Sequence, residues 1–258
     1  MCLIVFANNF HPVYKLIFAA NRDEFYNRPT EAAHFWKDHS DLLAGKDLQA
    51  GGTWMGITRS GRFAAITNYR DMKNIKENAP SRGYLTFDFL MSNISPTEYF
   101  NNIKNDLNKY NGFNLILGDV DNLFYISNIK SDLTRIEPGI HGLSNAFLDT
   151  PWPKVDKSKQ ELENAINGNQ ISEDRLIKIL NDKSFAEDEN LPDTGVGKEL
   201  ERVLSSVFIK TEKYGTRCST VLLIDKNNNV KFIEKTFIPE EDSFVGSEFK
   251  FKVKGING

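Results

Sequence analysis

The sequence predicts an α+β protein in which two antiparallel sheets pack face to face between outer helical layers, a four-layer αββα sandwich. Three observations carry this. Strand-turn-strand pairs recur along the chain, two pairs of amphipathic helices interrupt them, and the order hairpins, helices, hairpins, helices, hairpins departs from the strict βαβ alternation of a doubly wound sheet. With 258 residues, 40% of them hydrophobic, the chain is long enough to bury this core as one domain over residues 1–258.

The first strand is Met1-Cys2-Leu3-Ile4-Val5-Phe6-Ala7. Asn8, Asn9 and Pro12 make a turn, and Tyr14 to Ala20 form a second strand that runs into Asn21-Arg22-Asp23-Glu24. Residues 25–52 read as an irregular surface segment punctuated by Arg28-Pro29 and Gly51-Gly52. Thr53 to Thr58 and Phe63 to Asn68 make the next hairpin about Ser60-Gly61, and Asn68 stands at a strand end where a sheet can present a rigid donor. From Arg82 the pattern turns helical, with Tyr84, Phe87, Leu90 and Met91 on one face. Ser95-Pro96-Thr97-Glu98 is a capping box that opens a second helix carrying Tyr99, Phe100, Ile103 and Leu107.

Strands resume at residues 113–117, 123–127, 133–136 and 142–145. Helices follow over 153–167 and 172–182, the second capped by Ser172 with Glu173 and Asp174 in its first turn. Residues 186–194 are polar and acidic, as in a loop or flap, and the loops 25–52 and 186–198 are expected to line a pocket. The chain closes in strands at 207–209, 219–224 and 230–235.

Composition narrows the class. A net charge of -3 gives no footprint for nucleic acid. Cys2 and Cys218 are the two cysteines, too few for a disulfide framework or a thiolate zinc site, so no metal and a reducing, cytoplasmic location are expected. The apolar start is too short for a signal-peptide core, and no run approaches the ~18 apolar residues of a transmembrane segment.

Counting along the first hairpin brings residues 21–23 back beside Cys2. A small residue after the initiator methionine normally permits its removal, which would make Cys2 the N-terminus. Its α-amine, of pKa near 8, could then take the proton of a thiol of pKa about 8.5, placing base and nucleophile in one residue. A lone cysteine is more often a small hydrophobe opening a core strand, so the rest of the chain must decide.

Cys2, Ala20-Asn21-Arg22-Asp23-Glu24-Phe25, Arg28-Pro29 and Gly51-Gly52-Thr53-Trp54-Met55-Gly56 resemble the NRDE family, also called the transport and Golgi organisation protein family. The resemblance spans essentially the whole chain. It implies the fold of N-terminal nucleophile (Ntn) hydrolases, in agreement with the element order. Roles in secretory organisation, in handling acyl lipids or coenzyme A esters, and in haem trafficking have been attached to that family.

A more distant resemblance, to the cysteine amidases that open penicillin V, conjugated bile salts and ceramide, implies a site. Cys2 matches their nucleophile, Asp23 the aspartate that holds the α-amine, and Asn68 the oxyanion asparagine. Asn145 resembles a second asparagine that binds the α-amine or the substrate carbonyl, and Arg217 a late arginine. Their early arginine lies three residues before the aspartate, where this chain has Ala20. Arg22 instead directly precedes Asp23, and on a regular strand adjacent residues face opposite ways, so Arg22 is expected to need a bulge or turn to reach the thiol. Arg22 or Arg217 would favour the thiolate, and an oxyanion donor such as Asn68 is worth ~3 kcal/mol of barrier.

The function implied is hydrolysis of an amide or thioester through a Cys2 thioester, with no cofactor required and a small acyl or amide molecule as substrate. The alternative is a carrier that binds haem or an acyl group in the same cleft without turnover. For haem, the axial-ligand candidates are His11, His34, His39, His141 and Cys2, and Phe35, Trp36, Trp54, Tyr69 and Tyr84 are candidates to line an apolar pocket.

Overall fold

Strand β1 (Cys2–Asn8) is buried along its whole length because both of its faces are covered. Strand alternation sends Ile4 and Phe6 to one side, into a core shared with Leu43, Met55, Ile57, Phe63 and Ile116. Val5 and Ala7 go to the other, against Leu162, Leu176 and Leu180. In the computed structural model, which describes residues 2–254, this double burial is the organising feature.

A six-stranded antiparallel sheet is ordered β10 (Gly139–Leu143), β1, β2 (Tyr14–Phe25), β11 (Tyr214–Asp225), β12 (Asn229–Ile238), β13 (Ser243–Lys252). A seven-stranded sheet runs in chain order through β3 (Thr30–Phe35), β4 (Leu42–Asp47), β5 (Met55–Thr58), β6 (Arg62–Asn68), β7 (Phe113–Asp119), β8 (Leu123–Ser127) and β9 (Asp132–Arg135). Helices α1 (Gly83–Met91) and α2 (Pro96–Ile103) cover the outer face of the second sheet through Leu85, Phe89, Leu90 and Tyr99. Helices α3 (Pro153–Asn167) and α4 (Glu173–Leu180) cover the first through Leu162, Leu176, Ile179 and Leu180. The layers are therefore αββα, as the sequence predicts. A fifth helix, α5 (Lys198–Leu204), follows α4.

The caps behave as read. The Ser95 hydroxyl accepts the Glu98 N–H at 3.1 Å with Pro96 in the first turn, and Ser172 accepts the Arg175 N–H at 3.2 Å. Among the described residues no helix is long and apolar enough to cross a membrane.

Other expectations are corrected. Residues 25–52 hold β3 and β4, whose mixed polarity and register shift between Glu31 and His34 leave no clean alternation. Residues 207–209 are not a strand, whereas α5 and β13 were not expected. The buried face of α1 is Leu85, Thr86, Phe89 and Leu90, and Tyr84 is exposed. That segment is apolar on several sides, so periodicity alone does not choose a face.

His141, on β10, sits across from Phe6 of β1. Burial alone would push its imidazole down, but the Asp149 carboxylate at 2.7 Å and the Glu137 carbonyl at 2.9 Å reverse this and hold it above its ordinary value. A raised folded-state pKa gives stability that is complete below about 6.5 and lost as pH rises through the folded value. Thermal unfolding between pH 6 and 9 should show the melting temperature falling across that window, and His141→Gln should flatten the fall.

Candidate active site

Register builds the site. Cys2 pairs with Arg22 across β1 and β2, Arg22 with Cys218 across β2 and β11, and Cys218 with Thr236 across β11 and β12. Directly opposed residues of antiparallel strands share a face, so these four form one row on the face between the sheets. Arg22 therefore reaches the Cys2 side with no bulge in the β1–β2 pairing, contrary to expectation. The chain needs no re-aiming because Arg22 itself is the cross-strand partner of Cys2. Asp23 takes the opposite, helix-covered face, where its Oδ1 accepts the Thr216 hydroxyl at 2.7 Å. The bulge lies in β11 instead, where pairing steps from Thr216 with Asp23 to Cys218 with Arg22 and leaves Arg217 as the extra residue.

This end of the sheets opens into a cleft of about 780 Å³ whose lining includes Cys2, Arg22, Trp54, Asn68, Arg82 and Arg217. Asp23 also contributes to the wall. Loop 25–52 supplies much of the rim as expected, but residues 186–198 supply none of it among the described residues; segments 77–83 and 236–240 do so instead. Gly51, at φ +83°, and Gly52 bring the first rim loop against the start of α1. A Cβ on Gly52 would stand 2.5 Å from the Gly83 carbonyl carbon, so the approach requires glycine.

Five of the six sequence-predicted site residues, Cys2, Arg22, Asp23, Asn68 and Arg217, line the cleft. Asn145 does not. Its buried side-chain amide donates to the Asn68 carbonyl at 2.8 Å, and the neighbouring Ser144 hydroxyl donates to the Cys2 carbonyl at 3.0 Å. Asn145 thus fixes the end of β6 relative to Cys2. Arg217 spends its guanidinium on the loop, donating to the carbonyls of Phe25, Tyr26 and Arg28 at 2.8 to 3.0 Å and to the Thr30 hydroxyl at 3.2 Å. Met1, whose removal the sequence suggests, lies outside the described residues.

Cys2 is 8% exposed, and burial pushes its thiol up. The Asp23 charge adds to the rise, while the Asp23 N–H and the Arg22 guanidinium oppose it. Asp23 is likewise raised by burial and pulled back by Lys154, the Thr216 hydroxyl and Arg22. Arg82, which the sequence marks only as a helix start, is half-buried near Cys2 and Glu24 and donates to the Gly112 carbonyl at 2.9 Å. Glu234 forms part of the cleft wall and ties the two sheets, accepting the Ala33 N–H at 2.7 Å.

Asn21, the first residue of the motif shared with the NRDE family, is structural. Fully buried on the helix side, it donates to the Leu180 carbonyl at 2.8 Å and the Val207 carbonyl at 2.9 Å, and accepts the Ser219 hydroxyl at 2.6 Å. Asn21→Ala should cost about 2–4 kcal/mol by urea unfolding, because it strands two buried carbonyls and a hydroxyl.

The four histidines stand outside the cleft lining. His11 Nδ1 accepts the Val13 and Tyr14 N–H groups, His34 bonds the Ala32 carbonyl, His39 lies against Phe87, and His141 pairs with Asp149. Of the aromatic candidates, Trp54 lines the cleft. Trp36 stacks on Phe87, Phe35 packs on Phe249 and Phe251, Tyr69 packs on Phe147, and Tyr84 is exposed.

The family profile described as Transport and Golgi organisation 2 matches residues 1–239. The Transport and Golgi organization 2 homolog of Mus musculus is 35% identical over 264 residues, covering 94% of this chain and 95% of its own length. The homolog of Bos taurus is 38% identical over 259 residues, covering 92% and 94%. Among solved structures, the C2A mutant of conjugated bile acid hydrolase from Clostridium perfringens superposes with a TM-score of 0.53 at 10% identity, over 98% of this chain and 97% of that one. That likeness establishes the fold alone, a four-layer αββα sandwich shared with that hydrolase. With the family profile and both relatives extending over nearly its whole length, the chain belongs to the Transport and Golgi organisation 2 family.

Proposed function

We propose that the chain is an N-terminal-cysteine hydrolase of amides or thioesters, active in the cytoplasm once Met1 has been removed. The observation that carries this reading is the pairing of Cys2 with Arg22 in a cleft-facing row, with Asp23 directly behind it.

In the first step the Cys2 α-amine takes the thiol proton and Sγ attacks the substrate carbonyl carbon. The carbonyl π electrons move to oxygen, where the Asn68 amide donates to the oxyanion. Collapse of the intermediate breaks the C–N or C–S bond, and the leaving group departs with the proton held by the α-ammonium. A water then gives a proton to the α-amine and adds to the thioester, and breakdown releases a carboxylic acid and restores the thiol. Asp23 holds the ammonium form, and Arg22, with Arg82 near it, favours the thiolate.

Hydroxylamine tests this, because it intercepts a thioester acyl-enzyme as a hydroxamate. N-acyl amides incubated with the protein and hydroxylamine should yield the hydroxamate at the rate of acylation, and the Cys2→Ala protein should yield none. A carrier of haem or an acyl group would bind its ligand in the same cleft and give no hydroxamate with either protein.

A further inference from the structure

Helix α3 begins directly behind the nucleophile. Val155 in its first turn packs on Leu3, the residue after Cys2, together with Val207 and Trp152. Lys154, one position earlier, is buried, and among the described residues its Nζ has no hydrogen-bond partner. A cation in the first turn of a helix opposes the macrodipole, and a buried ammonium without a hydrogen bond is a net cost to the fold.

Its charged surroundings are specific. Asp23 on β2 faces the same helix-covered side, and Cys2 on β1 and Glu201 on α5 are the other groups of favourable sign. Arg70, past the end of β6, opposes it and is held by Glu201 at 2.6 Å. Tyr214 on β11 completes the group, its hydroxyl donating to the Asp23 carbonyl at 3.2 Å.

We infer that Lys154 is a positioning residue for the nucleophile, its ammonium keeping the Asp23 carboxyl ionised behind Cys2. The inference rests on the reading of Cys2 as the nucleophile. Burial raises Asp23 toward its neutral form and pushes Lys154 down to about 8, so each is the other's means of staying charged. Without Lys154, Asp23 protonates more readily and holds the α-ammonium less well, and the thiolate loses a nearby positive charge. Neutralising Asp23 also removes a negative charge that raises the thiol, but the Lys154 charge and the positioned ammonium lost with it act the other way and outweigh it, so the fraction of Cys2 that is thiolate at neutral pH falls.

The test follows the rate at which iodoacetamide alkylates Cys2, against pH, in protein whose mass shows that Met1 is absent, with Cys218 as the internal comparison. Lys154→Met should slow Cys2 alkylation about tenfold at pH 7 and displace its midpoint upward by about one unit. Thermal unfolding of each variant checks that the fold is kept, with Asp23 taking up a proton where the ammonium is gone. Lys154→Arg, which keeps the charge, should restore the wild-type midpoint, and Lys154→Gln provides a second neutral variant. A midpoint unmoved in both neutral variants while the wild-type thiol reacts overturns this inference alone. An inert wild-type Cys2 overturns it together with the hydrolase reading.

Discussion

Cys2→Ala is expected to lower turnover by on the order of 10⁴-fold or more while leaving substrate affinity within a few-fold of wild type. In the proposed mechanism the change removes the atom that would form the acyl-enzyme, and no second residue of the row would substitute for it. Cys218 shares its face, but it stands beyond Arg22 on another strand and its thiol is pushed far up by burial and by Glu234. The fold should tolerate the change, because the row position is held by backbone pairing rather than by the sulfur. Steady-state kinetics with a responsive N-acyl amide, and ligand titration of both proteins, separate the two effects. Residual turnover above about a hundredth of wild type would assign the chemistry elsewhere.

Arg70→Ala is expected to cost about 3–5 kcal/mol of stability. Arg70 and Glu201 form an ion pair at 2.6 Å with side chains only 5% and 4% exposed. Glu201 also accepts the Thr194 N–H at 2.8 Å, so it fixes the segment before α5 as well. The guanidinium lies over the Trp152 ring, 4.9 Å from its centroid. Removing it leaves a carboxylate buried without its counter-charge, whereas replacing both members with methionine should recover most of the loss. Urea unfolding of the two single variants and the double variant reads the coupling directly, and a single-variant loss below about 1 kcal/mol would show that the pair is not structural.

Much of this was legible because it is local. The hairpin from Cys2 to Glu24 can be counted from the sequence, and the count puts the motif residues beside the cysteine. Helix starts were readable where a serine supplies the cap, at Ser95 and Ser172. Strands β3 and β13 were not readable, since each is an edge strand of mixed polarity, and a register shift interrupts the pairing of β3 with β4. The face of Arg22 does not follow from alternation along β2 alone, because it is set by the residue that stands opposite Cys2, which is Arg22 itself. Lys154 and Arg82 carry no sequence signal, because their significance comes from standing near Cys2, more than 75 residues away in the chain. A lysine in the first turn of a helix is a weak hint, visible only once the helix start is known.

The central claim is that Cys2 becomes an N-terminal, self-activated nucleophile. It is tested most directly by the intact mass of the protein purified from its native host, before and after brief exposure to iodoacetamide near neutral pH. The account predicts a mass lacking methionine and one rapid carbamidomethyl addition that maps to Cys2, with Cys218 slow. Retention of Met1, or a Cys2 no faster than Cys218, would contradict it.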